Sequence, residues 1–248
     1  MMVAVGLLVG AAAPSYGFED LPVGTRADYQ LGGNRSVPDD VGIVVRDREA
    51  APAGRYDICY VNGFQTQPNE KRFWTGQRRD LLLHDRRGRL MEDEAWGEWL
   101  FDIRTPAKRT RLARIVGRWT AGCAAAGYEA VEYDNLDSFS RSHGLMRKKH
   151  AVAFARLLTA RAHRTGLAVG QKNLAGFRGT KVGFDFAVAE ECGRYDECGA
   201  YARVYGRRVL VIEYRRQDFE KTCAEYGATL SVVHRDLDLS PDGVRAWC

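Results

Sequence analysis

Residues 130–173 read AVEYDNLDSFSRSHGLMRKKHAVAFARLLTARAHRTGLAVGQKN, and this stretch decides the fold. A β-branched run ends at Asp134, an amphipathic segment follows at 146–164, and a second apolar run ends at Asn173. The apolar spacing of the middle segment predicts a helix that Gly166 closes, because glycine readily adopts the left-handed conformation of a C-cap. A strand, a helix and a second strand in this order predict a parallel βαβ unit.

The same alternation continues on both sides of this unit. Helical spacing at 108–126 and 219–226 predicts two more helices between short apolar runs. The predicted strands lie at 28–31, 43–47, 58–62, 99–103, 130–134, 167–173, 184–191, 208–214 and 228–235. At this length the alternation predicts an α/β fold, a single (β/α)8 TIM-type barrel. An open doubly wound sheet is the alternative, although no glycine-rich phosphate fingerprint follows an early strand.

The number of candidate strands exceeds what such a barrel holds. Nine candidates compete for eight places, and the segment between the first two, 32–42, is too short and broken for a helix. An extra N-terminal strand is therefore one interpretation. The pattern does not say which early strand closes the barrel.

Length and composition restrict the class of protein. The 248 residues suit one large domain, and 45% hydrophobic with 28% charged residues is typical of globular chains. Lys and Arg number 37 against 32 Asp and Glu, a formal net charge of +5, but no basic block suits a nucleic acid backbone. No apolar run reaches the roughly 18 residues that a membrane span needs. We therefore expect neither a nucleic acid nor a membrane partner.

The N-terminus is similar to a secretory signal. Residues 1–17 read MMVAVGLLVGAAAPSYG, a short apolar core that ends in small residues, although no basic residue precedes it. An ordinary apolar first element is the alternative. We expect residues 1–17 to be a signal peptide, residues 18–248 to form a single catalytic domain, and the protein to be secreted.

The cysteine content fits an exported protein, and none of the cysteines has the spacing of a metal or redox motif. The six are Cys59, Cys123, Cys192, Cys198, Cys223 and Cys248. Sequence alone leaves fifteen pairings open. Cys192 and Cys198 are close enough to close one loop, and a bridge from Cys223 would tether the last residue. The remaining two, Cys59 and Cys123, would then pair with each other or stay as free buried thiols.

Most predicted strands end in acidic or amide residues. The C-terminal ends of parallel strands meet on one face, where barrel enzymes place their active sites. Crowding carboxylates there costs free energy through like-charge repulsion, so neutral loops would serve stability better. The strand-end residues are Asp47, Asn62, Asp102, Asp134, Asn135, Lys172, Asn173, Glu190, Glu191, Glu213 and Asp236. One such residue alone would be an ordinary loop residue, but their recurrence indicates a functional rim.

Carboxylates within this rim suit glycosidic cleavage. Glu132 and Asp134 lie two residues apart and so face the same side of their strand, and Glu190 follows two strands later. Cleavage needs one carboxyl group to protonate the leaving oxygen and another to attack the anomeric carbon or activate water. The aromatic and amide candidates for sugar binding are Tyr29, Gln30, Tyr60, Phe64, Gln65, Trp74, Trp96 and Tyr214.

Other functions find less support. The five histidines are scattered without the spacing of a zinc site, and no calcium-loop signature is present. No G-x-S-x-G elbow supports a serine nucleophile. We therefore expect neither a metal nor a cofactor. A non-catalytic carbohydrate-binding barrel that keeps the acidic rim is the alternative from a different class.

Six motifs occur in order along the chain and match one family. They are Asp28-Tyr29-Gln30-Leu31-Gly32-Gly33, Ile58-Cys59-Tyr60-Val61, Val131-Glu132-Tyr133-Asp134-Asn135-Leu136-Asp137, Gln171-Lys172-Asn173, Ala189-Glu190-Glu191-Cys192 and Ile212-Glu213-Tyr214. Together they resemble glycoside hydrolase family 114, the endo-α-1,4-polygalactosaminidase family, from about residue 27 to the C-terminus. The chain departs from the family pattern at Tyr133, where a proline is usual. Because Tyr133 points away from the face that carries Glu132 and Asp134, we expect the site to survive.

The resemblance implies a (β/α)8 barrel, secretion and cleavage inside α-1,4-linked galactosamine-rich polysaccharide. It also implies a catalytic pair, matched here by Asp134 as nucleophile and Glu190 as acid/base in a retaining reaction. The substrate-binding candidates are Asp28, Gln30, Tyr60, Asp102, Glu132, Asn135, Lys172, Asn173, Glu191, Glu213 and Tyr214. Another amino-sugar polymer is the alternative substrate, and we expect a monomer.

The acidic rim gives a physical reason for such a substrate. De-acetylated galactosamine polymers are cationic, and a ring of carboxylates at the barrel mouth would attract them. The basic exterior would not prevent this, because salt screens exposed charges beyond about 10 Å. We therefore expect activity to favour free-amine segments and to weaken with salt.

Overall fold

The strands of the computed structural model, which describes residues 17–248, are arranged mainly as a parallel barrel. In chain order they are β1 (Arg26–Gln30), β2 (Val41–Asp47), β3 (Tyr56–Asn62), β4 (Glu92–Asp93), β5 (Glu98–Trp99), β6 (Ala130–Asp134), β7 (Ala168–Lys172), β8 (Phe186–Glu190), β9 (Val209–Glu213), β10 (Ser231–Arg235) and β11 (Arg245–Trp247). One sheet has the order β1-β2-β3-β6-β7-β8-β9-β10-β11. Its first eight strands pair in parallel, and β11 pairs antiparallel with β10. The expected (β/α)8 architecture is thereby confirmed.

Five α-helices accompany the strands. They are α1 (Lys71–Thr75), α2 (Pro106–Ala126), α3 (Lys148–Arg164), α4 (Cys198–Tyr205) and α5 (Arg216–Tyr226). The helical patterns at 108–126, 146–164 and 219–226 correspond to α2, α3 and α5. Helix α2 begins with a capping bond from the Lys108 N–H to the Thr105 side chain and ends at Gly127 with φ of 95°, as its sequence predicts. The short helices α1 and α4 carry no pattern that we recognised in the sequence.

Apolar side chains form two buried clusters, one inside the barrel and one between the barrel and its helices. Inside, Tyr29, Ile58 and Phe186 are fully buried on strands of the sheet. Gly170 in β7 makes room there, because a Cβ at that position would lie 2.6 Å from the Phe186 ring. On the outside, Tyr133 bonds the Thr120 side chain of α2 at 2.7 Å between oxygens. The expected outward orientation of Tyr133 is therefore correct.

The predicted strand at 99–103 is wrong as a barrel strand. Only Glu98–Trp99 is extended, and it pairs antiparallel with Glu92–Asp93 in a separate two-stranded hairpin. Leu100 and Phe101 make isolated antiparallel bridges to neighbouring loop residues. The run is part of the long connection from β3 to α2 and is buried among its other residues, and periodicity does not distinguish such a buried run from a strand. Its removal leaves eight parallel strands, so neither early strand is extra.

Side chains, rather than a ladder of backbone bonds, join β1 to β10 where the barrel closes. Fully buried Arg235 of β10 pairs with Asp28 of β1 at 3.3 Å and donates to the Tyr29 carbonyl. Strand β11 supports this seam, because Arg245 pairs with Asp28 at 2.7 Å and the Trp247 indole donates to the Ala27 carbonyl. The two strands that flank the seam are therefore the first and the last of the parallel series.

Three disulfides confirm the expected pairing of the cysteines. Cys192 bonds Cys198, within the segment from β8 to α4. Cys223 of α5 holds the C-terminal residue, Cys248. The third bridge joins β3 to α2 and consists of Cys59 and Cys123. Each bridge restricts the unfolded chain and so stabilises the fold.

The expected signal peptide at 1–17 lies outside the described residues apart from Gly17. Within residues 17–248, no helix has both the length and the apolar character needed to cross a membrane.

Candidate active site

An open cavity of about 780 Å³ lies at the C-terminal ends of the barrel strands. Its wall is unusually acidic, with nine carboxylates against two cationic side chains. The carboxylates are Asp47, Asp93, Glu98, Asp134, Asp137, Glu190, Glu191, Glu197 and Asp238. The cations are Arg141 and Lys172. The acidic rim that the strand ends predict is therefore present as the lining of one cavity.

Lys172, the last residue of β7, is the centre of this site. Its side chain is only 2% exposed, and its Nζ lies 3.1 Å from Glu132, 3.6 Å from Asp134 and 3.3 Å from Glu190. It also donates to the Tyr29 hydroxyl at 2.9 Å. Burial lowers the pKa of Lys172, but Asp134, Glu190 and the other acidic neighbours raise it by a larger amount. Its pKa therefore lies well above the ordinary value. Lys172 is a permanent cation shared by three carboxylates.

Asp134 ends β6 and is held by two donors. The Tyr60 hydroxyl donates to Oδ2 at 2.8 Å, and the Asn135 backbone N–H donates to Oδ1 at 2.6 Å. Both bonds fix the direction of the carboxylate, and the Lys172 ammonium lies 3.6 Å from Oδ2. Asp134 is therefore held in one orientation in the wall of the cavity.

Glu190 ends β8 and has a different set of donors. The Tyr214 hydroxyl donates to Oε1 at 2.5 Å, and the Asn173 amide donates to Oε2 at 3.1 Å. Asn173 is itself oriented, because its Oδ1 accepts the Glu190 backbone N–H at 2.9 Å. The strand ends of β7 and β8 thus hold each other's functional side chains.

The shared ammonium limits how far apart the two carboxylates are. Oδ2 of Asp134 and Oε2 of Glu190 each lie within 3.6 Å of the Lys172 Nζ, so the two oxygens are at most about 7 Å apart. Retaining glycosidases place such groups about 5–5.5 Å apart, and inverting ones about 6.5–9.5 Å apart. This upper bound includes the retaining separation and the low end of the inverting range.

Glu132 lies beneath this pair and does not line the cavity. It is fully buried, accepts the Tyr29 hydroxyl at 2.7 Å on Oε1, and within the described residues its Oε2 has no hydrogen-bond partner. Burial raises the pKa of Glu132 to about 7, although Lys172 acts in the opposite direction. Glu132 therefore supports Lys172 from below rather than contacting the cavity.

Left-handed residues follow three of the strands that build the site. Asn135 after β6 has φ of 64°, Asn173 after β7 has φ of 51°, and Glu191 after β8 has φ of 54°. Such a conformation costs a non-glycine residue roughly 1–2 kcal/mol, although asparagine tolerates it better than most. It turns the chain sharply at each strand end, where the last strand residue and its successor both line the cavity.

The structure brings together eight of the thirteen residues proposed for catalysis or binding. Those that line the cavity are Tyr60, Asp134, Asn135, Lys172, Asn173, Glu190, Glu191 and Tyr214. The other five, Asp28, Gln30, Asp102, Glu132 and Glu213, lie outside its lining.

Glu132, described above, is one of these five, and the other four make contacts in other parts of the fold. Asp28 holds the seam, and the Gln30 amide donates to Asp28 at 2.7 Å. Asp102 pairs with Arg104 at 2.8 Å and with Lys108 at 2.6 Å, where α2 begins. Fully buried Glu213 accepts the Gly193 N–H at 2.7 Å and so holds the loop after β8. A strand-end position does not by itself place a side chain in the cavity.

One wall of the cavity escaped the sequence reasoning, because it comes from the long connection between β3 and α2. The hairpin of β4 and β5 contributes Asp93, Trp96 and Glu98 to the lining, and only Trp96 was a candidate. Burial raises the pKa of Glu98 to about 7, the Asn62 amide opposes this shift, and Asp134 adds to it. Residues 92–99 read EDEAWGEW, and this local cluster of acidic and aromatic residues is the signal that the sequence offered.

Three large apolar side chains at the mouth of the cavity are exposed. Trp96 is 60% exposed, Tyr195 58% and Leu237 60%, and all three belong to the lining. Exposed aromatic rings beside a polar cavity offer flat apolar faces, which suit stacking against the faces of sugar rings.

Metal-binding capacity is low among the described residues. Over residues 17–248, the one group of three close ligand side chains is Cys192, Cys198 and Glu213. Both sulfurs are consumed by the disulfide, which leaves a single carboxylate. This group therefore does not have the donor set of a metal centre.

Comparison with known proteins gives a family and a set of similar structures. A family model described as glycoside-hydrolase family GH114 matches residues 10–248. The crystal structure of Aspergillus fumigatus Ega3 in complex with galactosamine has a TM-score of 0.74 and 22% identity, over 96% of this chain and 100% of that one. The glycoside hydrolase domain of PelA from Pseudomonas aeruginosa has a TM-score of 0.59 and 16% identity, over 88% of this chain and 97% of that one. No curated protein matches the chain in sequence.

Proposed function

The chain belongs to glycoside hydrolase family GH114, and from this premise we propose that it cleaves internal α-1,4 linkages of galactosamine-rich polysaccharide. The observation that carries the proposal is the pair of carboxylates, Asp134 and Glu190, on either side of the buried Lys172 ammonium at the base of an open acidic cavity. The galactosamine in the Ega3 crystal structure supports the choice of sugar.

In the proposed reaction, Asp134 attacks the anomeric carbon while Glu190 gives its proton to the leaving oxygen. The glycosidic bond breaks, and the sugar becomes an ester of Asp134. Glu190 then takes a proton from water, and the water oxygen displaces Asp134 from the anomeric carbon. Two inversions give net retention, and both carboxyl groups return to their starting state.

The neighbouring side chains support these two roles. Tyr60 and the Asn135 N–H fix the direction of the Asp134 carboxylate in the cavity wall, which suits a nucleophile. Tyr214 and Asn173 fix the direction of Glu190. Lys172 stabilises the charge on whichever carboxyl group is ionised as the proton moves.

The substrate we propose is cationic. Nine carboxylates against two cations give the cavity a strongly negative potential, which attracts a free-amine galactosamine polymer and offers nothing to a neutral acetylated one. Another amino-sugar polymer is the alternative substrate, since the same charges would attract it.

We also propose that residues 1–17 are a signal peptide and that residues 18–248 form a secreted, monomeric catalytic domain. Three disulfides support the extracellular location, because such bonds persist in oxidising compartments. Analytical ultracentrifugation of the purified protein tests the oligomeric state, and N-terminal sequencing of exported protein tests the cleavage.

Defined α-1,4-galactosamine oligomers test the activity and its stereochemistry together. The wild-type protein is expected to release shorter oligomers whose first-formed reducing ends are α in the NMR spectrum. Asp134→Asn is expected to lower the rate by at least about a thousandfold while oligomer binding persists. Products that are β at first would mean inversion and would remove the nucleophile role from Asp134.

The same experiment separates an enzyme from a carbohydrate-binding barrel. A binding module would retain the oligomers without product, both in the wild type and in Asp134→Asn. Lys181→Met serves as the control variant, because Lys181 is exposed and lies outside the cavity lining.

A further inference from the structure

The carboxylates of the cavity differ in whether a cation neutralises them. Five of the nine have a Lys or Arg partner within 4 Å: Asp93, Asp134, Asp137, Glu190 and Glu191. The other four have no ion-pair partner among residues 17–248, and they are Asp47, Glu98, Glu197 and Asp238. Of these four, only Glu98 is buried, with 8% of its surface exposed. Glu98 is thus the one buried carboxylate of the cavity that lacks a cation.

A single residue, Asn135, forms hydrogen bonds to both Glu98 and Asp134. Asn135 donates its backbone N–H to Asp134 at 2.6 Å and its side-chain amide to Glu98 Oε2 at 3.2 Å. The cation nearest to this part of the hairpin, Arg141, is engaged by Asp93 at 2.7 Å and by Asp137 at 2.9 Å. Glu98 therefore lies beside Asp134 and has no ion-pair partner among residues 17–248.

The charged groups that face Glu98 come from three elements. Asp93 lies on the paired strand of its own hairpin, Asp134 lies at the end of β6, and Arg141 lies in the segment after β6. Burial and the two aspartates raise the pKa of Glu98, to about 7, while Arg141 and the Asn62 amide lower it. An uncompensated buried carboxylate is costly, and a cation that enters the cavity and pairs with it recovers that cost.

We propose that Glu98 binds the ammonium group of the sugar whose anomeric carbon Asp134 attacks, and so selects free-amine over acetylated substrate. This inference rests on the proposed function and names a specificity residue within the same site. In a 2-amino sugar the nitrogen is attached to the carbon next to the anomeric carbon. A side chain that recognises it must therefore lie beside the nucleophile, as Glu98 does through Asn135.

An acetylated sugar makes a poor partner for Glu98. The acetamide carries no positive charge, and its added acyl group needs space beside a side chain that is already buried. An ammonium group instead offers three donors to a carboxylate and forms a charge-assisted bond in a low-dielectric wall. Glu98 thus provides both the attraction toward one substrate and the penalty against the other.

The test measures kcat/KM for free-amine and for N-acetylated α-1,4-galactosamine oligomers of equal length at pH 8. Glu98→Gln has the same shape and keeps an acceptor for Asn135, but lacks the charge. It is expected to lower the ratio of free-amine to acetylated kcat/KM about 30-fold. Glu94→Gln, an exposed position on the same hairpin, is the matched control and is expected to leave the ratio unchanged.

Calorimetric binding of both oligomers to Glu190→Gln, with and without Glu98→Gln, measures the same ratio without turnover. A ratio that stays within about threefold of wild type, or that falls equally in Glu94→Gln, overturns the proposal. If the wild type cleaves neither oligomer but Glu98→Gln still abolishes the binding preference, the proposed hydrolysis fails and the role of Glu98 stands. If neither cleavage nor preferential binding is found, both fail.

Discussion

At the scale of single residues, Lys172 organises the candidate site. It is a buried cation surrounded by Glu132, Asp134 and Glu190, and its charge allows these carboxylates to lie close together. Its positive charge offsets the like-charge repulsion among them.

Lys172→Met is expected to lower kcat on α-1,4-galactosamine oligomers by about 100-fold or more, because the removed charge stabilises the reacting carboxylates. The methionine side chain is similar in length and apolar, so it fills the buried space. Steady-state kinetics of the two variants Lys172→Met and Lys181→Met provide the comparison. A kcat within threefold of wild type would contradict the role given to Lys172.

Glu132 makes stability depend on pH. Burial raises its pKa to about 7 in the folded chain, from 4.5 in the unfolded one, so the folded chain binds more protons between these values. Stability therefore falls as pH rises across this window. Glu132→Gln does not titrate, and relative to it the wild type is expected to lose about 2–3 kcal/mol between pH 5 and pH 8.

Urea unfolding of wild type and Glu132→Gln at both pH values measures this difference. Glu94→Gln is the control, because an exposed carboxylate on the hairpin does not carry the same burial cost. A difference between wild type and Glu132→Gln that is the same at the two pH values would contradict a folded-state pKa of about 7 for Glu132.

At the scale of elements, the connection from β3 to α2 has two functions that its sequence does not separate. The hairpin of β4 and β5 supplies Asp93, Trp96 and Glu98 to the cavity. The segment that follows is buried and ends at Asp102, which joins Arg104 and Lys108 at the start of α2. The first part is expected to affect substrate binding and the second part stability.

Asp102→Asn tests this division. Burial raises the pKa of Asp102, but the bonds from Arg104 and Lys108 outweigh it and lower the pKa from 3.8 to about 2. At pH 7 the substitution is expected to reduce the free energy of unfolding by about 1–2 kcal/mol and to leave kcat/KM unchanged. The destabilisation should disappear as pH falls from about 4 to about 2, where the wild-type carboxylate is protonated as well.

Denaturant unfolding between neutral and acidic pH, together with oligomer kinetics, checks this expectation. A large fall in kcat/KM without a loss of stability would return Asp102 to the binding site, as its strand-end position predicts.

The elements also show why one predicted strand was wrong and the others were right. Strands that line a barrel alternate inward and outward side chains, and Tyr133 between Glu132 and Asp134 follows this rule. The run at 99–103 is equally apolar, but its burial comes from the loops that cover it rather than from a sheet. A local sequence pattern indicates that a segment is buried, but it does not indicate which elements cover that segment.

At the scale of the whole molecule, the net charge of +5 is an average over two opposed regions. Among the described residues the cavity lining has nine carboxylates and two cations, so the rest of the chain has an excess of basic residues. The cationic polymer that we propose as substrate would meet the acidic cavity at short range, where low-dielectric walls focus the field, while salt screens the exterior.

Hydrolysis of free-amine galactosamine oligomers is therefore expected to depend on salt. Between about 0.05 and 0.5 M salt, kcat/KM should fall about tenfold for the free-amine oligomer and less than about twofold for the acetylated one. The fall in kcat/KM should come mainly from a rise in KM, because more charges attract the polymer than take part in the reaction. Equal turnover of both oligomers at low and high salt would contradict the proposed substrate.

The sequence by itself determined the barrel and the strand ends that carry Asp134, Lys172 and Glu190. These features follow from local rules, because strand periodicity fixes which side chains share a face, and parallel strands bring their ends to one rim. Only the tertiary structure decided that Asp28 closes the seam, that Glu132 lies below the cavity and that Glu98 forms its wall. Those placements depend on where distant segments meet when the barrel closes and on how a long connection folds back over it, and no local pattern encodes either.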